Sequence, residues 1–348
     1  MSRTLVGWEL RKLWSMPTLG IFLLLCLGFN LLVVAGGRPG PLPTPAAPEP
    51  TAADIFENYD TAALSASVSR YYLVTSPVAD ALNAKYACLN TAVARLAAAD
   101  AALSPLAGGQ TDALTGTLDR LGRALLAEGM VFAALLALAA AGYEQLARTE
   151  GSVLATRVGR GIRRAKLAAG ALSAVGAFGL LALGSTGAFA AVWRLGPTWG
   201  QSISGQSHLL YEGGPARPFI TWAPMTVAGY LAAGLALSAA VVLVVFLLAF
   251  ALALAAGDTL KSFWVLLLCT AATVFLIGFA RDERLWVLFE TLQCTPAALL
   301  LNRALWFTEG GVTTLLPWQE AGVTALWLGV GAALLRLAGR RFDRKDVC

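Results

Sequence analysis

Two apolar runs, Ala124 to Gly142 and Leu167 to Trp193, flank a strongly basic stretch of the chain. Each reaches about the 20 residues that a helix needs to cross a bilayer. In lipid only helices and closed barrels satisfy their own backbone hydrogen bonds, and runs this long are helical. Comparable runs fill 18–36, 224–256, 262–280 and 320–338. The chain is therefore read as an all-α, polytopic membrane protein with six transmembrane helices. The balance of residues agrees: 14% are charged and mean hydropathy is +0.67, whereas a soluble domain carries roughly 25% charged residues.

Sidedness follows from the basic stretch. Glu144 to Lys166 holds Arg148, Arg157, Arg160, Arg163, Arg164 and Lys166, and Gly151, Gly159 and Gly161 divide it into short pieces. Short loops rich in Lys and Arg stay in the cytoplasm. With six spans, both termini lie there too, and the 339–348 tail adds Arg340, Arg341, Arg344 and Lys345. Most of the 26 basic residues fall on that side or in a long outer insert. The net charge of +5 thus reflects orientation and contact with membrane lipid, and no nucleic-acid partner is expected. Trp8 and Trp14 are placed at the inner interface, and Trp193, Trp222, Trp286, Trp306 and Trp318 near the outer one.

Residues 1–17 place Val6, Leu10, Leu13 and Trp14 on one helical face, with Arg3, Arg11 and Lys12 mostly elsewhere. Too short to span, this segment reads as an amphipathic helix lying in the cytoplasmic headgroup layer. The plainer reading is a charged flank that only orients span one. Pro17 ends it. The run that follows lacks a small-x-small cleavage pattern and is expected to be a retained span.

Residues 37–123 form the outer insert. Prolines at 39, 41, 43, 45, 48 and 50 make an extended spacer. Beyond it, Leu82, Tyr86, Leu89, Val93 and Leu96 recur at helical steps, and a second helical stretch starts at Thr111. The insert could contact cargo or serve packing and gating alone. Residues 194–223, rich in Gly, Pro, Ser and Trp, read as an outer loop, and Gly257, Asp258 and Lys261 as a tight inner turn. In 281–319, short helices at Leu285–Leu292 and Pro296–Phe307 are broken at Cys294–Pro296, as in a re-entrant dip.

The chemistry for catalysis is missing. No G-x-x-x-x-G-K-[ST] and no Gly-Lys pair occurs, so no P-loop can form. His208 is the single histidine and falls in an outer loop, so neither a histidine metal cluster nor a His-dependent triad is expected. There is no G-x-S-x-G elbow. The five cysteines lack metal spacing, and Cys88 with Cys294 is the one plausible disulfide. Glu128, Glu144, Asp258 and Glu320 are expected to reach an interface as boundary anchors rather than form a proton relay.

Three segments carry a resemblance. Glu9-Leu10-Arg11-Lys12-Leu13-Trp14 through Pro17 resembles the connecting helix before span one of type-2 ABC transporter permeases. Glu150-Gly151-Ser152, then Leu154, Thr156, Arg157, Arg160, Arg163 and Lys166, resembles that family's segment after span two, without its proline before the arginine: Val158 and Gly159 stand there. The Phe342-Asp343-Arg344-Lys345-Asp346 tail resembles its Phe-x-x-x-Asp ending. The similarity covers 1–36 and 124–348. It implies a non-enzymatic permease subunit of a bacterial cell-membrane exporter. The 144–166 loop would dock on a separate ATP-binding protein, present in two copies, and a second permease copy or sister subunit would complete the pathway. This chain would bind no cofactor; ATP and Mg would sit on the partner. Two other readings stay open: a secondary carrier or channel without an ATPase, and a membrane sensor or scaffold whose insert binds a ligand.

Overall fold

The computed structural model describes residues 3–37, 56–71, 74, 77–99, 108–147, 149–154, 159–206, 208–209, 217–280 and 285–344. These form helices α1 (Arg3–Trp14), α2 (Pro17–Gly36), α3 (Thr61–Tyr71), α4 (Val78–Ala98), α5 (Gly108–Leu146), α6 (Glu150–Leu154), α7 (Ile162–Trp193) and α8 (Ile203–Gln206). After them come α9 (Val227–Ala256), α10 (Thr259–Phe279), α11 (Trp286–Gln293), α12 (Pro296–Leu301) and α13 (Gln319–Arg344). The sheet among the described residues is one two-residue antiparallel pair, His208–Leu209 with Arg217–Pro218. Among the described residues, six helices, α2, α5, α7, α9, α10 and α13, are long and apolar enough to cross a membrane.

Helix ends follow local chemistry. Pro17 forces Met16 out of helical geometry (φ −78°, ψ 111°), which separates α1 from α2. Thr226 caps α9 by accepting from the Gly229 N–H at 3.0 Å. Gly257 takes the left-handed turn that ends α9 (φ 63°), and Asp258 then caps α10 by accepting from the Lys261 N–H at 3.0 Å. One boundary moves well away from its sequence position. The helical stretch from Thr111 and the second span are a single helix, α5, of 39 residues. At about 1.5 Å per residue it is far longer than a hydrocarbon core of roughly 30 Å.

α9 is apolar on every side and forms the centre of the bundle, packed on α5, α7, α10 and α13. Small residues let the helices close on each other. A Cβ at Gly129 of α5 would strike Phe178 and Val242, and one at Gly170 of α7 would strike Phe246. α2 lies against α5 and α7, while α10 keeps most of its apolar surface exposed.

The insert is attached to the bundle rather than hung from it. Leu82, Tyr86, Leu89, Val93 and Leu96 are all buried, together with Phe56, Leu64 and Val68 of the facing segment. Their cluster continues into Ile220, Trp222, Ile277, Trp286, Phe289 and Val312. Trp222 and Trp286 are buried in that cluster, and Trp306 is buried in a neighbouring one with Tyr230, Phe307 and Val323. One sequence expectation is corrected. Cys88 and Cys294 are both free thiols.

Candidate functional site

At the α1 end of the bundle, charged side chains from three helices meet. Glu9 and Lys12 lie one turn apart on α1, and the Lys12 ammonium donates to Glu9 at 2.6 Å. It also donates to Glu144 of α5 at 3.1 Å and lies over the Tyr143 ring at 5.4 Å. The other Glu144 oxygen accepts from Lys166 of α7. Glu9, Glu144 and Lys166 are all buried. Burial weighs against charge on Lys12, but Glu9 and Glu144 more than offset it and hold its pKa above the usual lysine value. Trp14 adds a neutral tie, donating through Nε1 to Ser173 of α7 at 3.1 Å.

The apolar face of α1 supports this arrangement. Leu13 is buried, and Val6 and Leu10 pack against the same cluster. With Glu9 they form an i, i+3, i+4, i+7 stripe, so a carboxylate shares the buried face. Arg11 is exposed and stacks near Trp8 at 6.0 Å. Trp8 and Trp14 are exposed as well. At the same end, Gln145 of α5 donates to the Gly257 carbonyl at 2.9 Å, which ties α5 to the α9–α10 turn.

The segment between α5 and α7 is shorter than its basic composition suggests. Gly159 adopts φ 45° and introduces a 3-10 turn, Gly159–Gly161, from which α7 starts at Ile162. Arg163 and Lys166, read from the sequence as part of the 144–166 loop, therefore belong to the first turns of α7. Lys166 points into the bundle toward Glu144, and Arg163 lies against Gly339 of α13. Gly151 and Ser152 are exposed on α6. The backbone of Glu150 and Leu154 opens and closes α6, and Arg160 sits in the 3-10 turn; their side chains lie outside the description. Arg148, Thr156 and Arg157 lie outside the described residues.

The insert end is organised differently. Lys85 of α4 is buried, and its ammonium donates to the carbonyls of Glu309, Gly311 and Thr314. Tyr86 donates to the Glu309 carboxylate at 2.7 Å, and the Gly311 N–H donates to the same oxygen at 2.8 Å. Glu320 of α13 accepts from the Phe307 N–H at 3.1 Å, where Phe307 is left-handed (φ 66°). Burial pushes Lys85 down to about 8, with Glu309 and Glu290 pulling it back. Burial pushes Glu290 up to about 8, with Lys85 opposing.

The four carboxylates expected as boundary anchors have these surroundings. Glu144 and Glu320 are enclosed by protein with named partners, and Asp258 is a helix cap. Glu128 of α5 accepts a 2.8 Å hydrogen bond from Asn30 of α2. Asn30 is fully buried, and sequence reasoning passed over it. The available signal was one amide in an otherwise apolar run. Glu144 as a hub was equally hard to foresee, although a carboxylate closing one span and a lysine opening the next were both in view. No family model, curated protein or solved structure matches this chain.

Proposed function

We propose that this chain is the membrane-spanning permease subunit of a type-2 ABC exporter, moving a peptide, lipid-like or amphiphilic cargo outward. On this reading it lies in a bacterial cell membrane with both termini in the cytoplasm. A separate ATP-binding protein supplies the energy, and a second permease copy or a sister subunit completes the pathway. The chain does no bond chemistry.

One observation carries the reading. The Glu9–Lys12–Glu144–Lys166 network joins α1 to α5 and α7, the two helices that flank α6. A push on α6 by a docked ATPase would be transferred to both helices and to α1 as one unit, a rigid-body shift of packed elements. α1 would lie along the inner headgroup layer with Trp8 and Arg11 toward lipid. Because the insert shares its core with 277–312, it serves packing and gating on this reading rather than forming a separate ligand-binding domain.

Co-purification tests the proposal. An ATP-binding protein encoded beside this chain is expected to come down with the full-length protein and to be lost when 150–165 is replaced by a Gly/Ser linker. Equal capture after that replacement would overturn the docking role of α6. A second reading, an ion-driven carrier, draws on the Glu128–Asn30 pair inside the spans. Transport by the purified chain in liposomes under an ion gradient alone would favour it.

A further inference from the structure

Glu128 lies 144 − 128 = 16 residues before Glu144 on the same helix, roughly 24 Å along its axis. With Glu144 at one membrane boundary, Glu128 falls inside a hydrocarbon layer about 30 Å thick. A carboxyl at that depth is costly and marks a functional position by default. Among the described residues no basic side chain pairs with it. Its hydrogen-bond partner is the neutral amide of Asn30, which donates through Nδ2 to Oε2. Asn30 is 0% exposed, and among the described residues its Oδ1 has no hydrogen-bond partner. Glu128 is only half-buried.

The seam beside this pair is aromatic. Phe22 of α2 and Phe132 of α5 stack with centroids 5.8 Å apart, and Phe132 is one turn from Glu128. Among the described residues, what remains open is a pair of acceptors: the buried amide oxygen and the carboxylate oxygen that Asn30 does not bond. Anions are excluded, because acceptor oxygens repel them. A bare metal cation needs more oxygen ligands than two. An ammonium group fits, since it brings its own N–H donors and is attracted to aromatic faces.

We propose that Asn30 and Glu128 form a recognition site for the ammonium group of an amphiphilic amine within the membrane. This names the charge of the exported cargo and rests on the exporter reading only for the direction of movement. The carboxylate supplies the counter-charge, the buried amide oxygen accepts one N–H, and half-buried Phe22, stacked on the buried Phe132, takes the alkyl portion.

The test uses the purified full-length protein in lipid nanodiscs with dodecylammonium as the probe and dodecanol as the neutral comparator. Saturable dodecylammonium binding is expected, weakened about tenfold or more by E128Q through loss of a charge-assisted hydrogen bond. N30L should weaken it less, E128D should retain most of it, and dodecanol should not compete. Asp258→Asn, on the exposed turn, should leave it unchanged. Unchanged affinity in an E128Q protein with wild-type elution and melting, or equal competition by dodecanol, overturns the site. If E128Q does not fold, N30L answers the same question, and unchanged affinity there overturns it equally. ATPase capture is scored separately. Its loss with amine binding intact sinks the exporter reading alone, and intact capture with E128Q binding unchanged sinks this site alone.

Discussion

At the α1 end, three helices are joined by four ionic side chains and one tryptophan hydrogen bond, over an apolar stripe only two turns long. At the insert end, a large apolar cluster spans α3, α4, α10, α11 and the 303–318 loop, and Lys85 caps backbone carbonyls at its margin. Ionic joins are discrete: each depends on one partner, and a buried charge that loses its partner is costly. Apolar cores resist shifts, because displaced side chains lose contacts on all sides. The contrast teaches that the α1 end is held by a few specific pairs and the insert end by a distributed core.

Removing the hub should do the most damage. Glu144→Ala leaves the buried Lys166 and half-buried Lys12 without their shared counter-charge and is expected to cost about 4 kcal/mol. Thermal melting in detergent reads the total, and amide hydrogen exchange locates it. α1 should lose protection while α4 keeps it. Equal loss in α4 would mean that the two ends are one cooperative unit.

The converse substitution is Leu89→Ala, a fully buried leucine in the insert cluster. It should cost about 3 kcal/mol, the usual range for a core leucine. Here exchange should rise in α4 and in α11, with α1 unaffected. Protection lost in α4 alone would show that the insert's core is its own.

Acidity should separate the ends further. The Glu290 carboxyl, at about 8 in the fold against an ordinary 4.5, keeps a proton that the unfolded chain gives up between those values. Its contribution is therefore full below 4.5 and is lost as pH rises through 8. Between about pH 6 and about pH 8 the insert end should weaken by about 2 kcal/mol. Glu290→Gln should flatten that slope. A slope that persists in the variant would assign the effect elsewhere. The smallest effect belongs to Trp14→Phe, which removes the bond to Ser173 and should cost about 1 kcal/mol, seen as faster exchange in α1 only.

Much of the frame was legible because it depends on local pattern. The uninterrupted apolar runs marked the long helices, and the three- and four-residue spacing of Leu82, Tyr86, Leu89, Val93 and Leu96 marked the buried face of α4. Pro296 marked the start of α12, which the structure caps with Thr295 accepting from the Ala298 N–H. Glycines after α6 marked the breaks before α7. The candidate site was less legible. Arg163 and Lys166 looked like loop cations, since nothing near them in sequence says that α7 begins at Ile162 and carries Lys166 inward.

The sequence by itself determined that this chain is helical with runs long and apolar enough to cross a membrane, because length and apolar composition are properties of each segment separately. Only the tertiary structure decided which charges are buried together. Glu9, Lys12, Glu144 and Lys166 are separated by up to 157 positions, from 9 to 166, and so are Lys85 and the carbonyls of Glu309 and Thr314. A polar group withdrawn from water must find its partner wherever packing brings one, and that choice is made between helices, not along them.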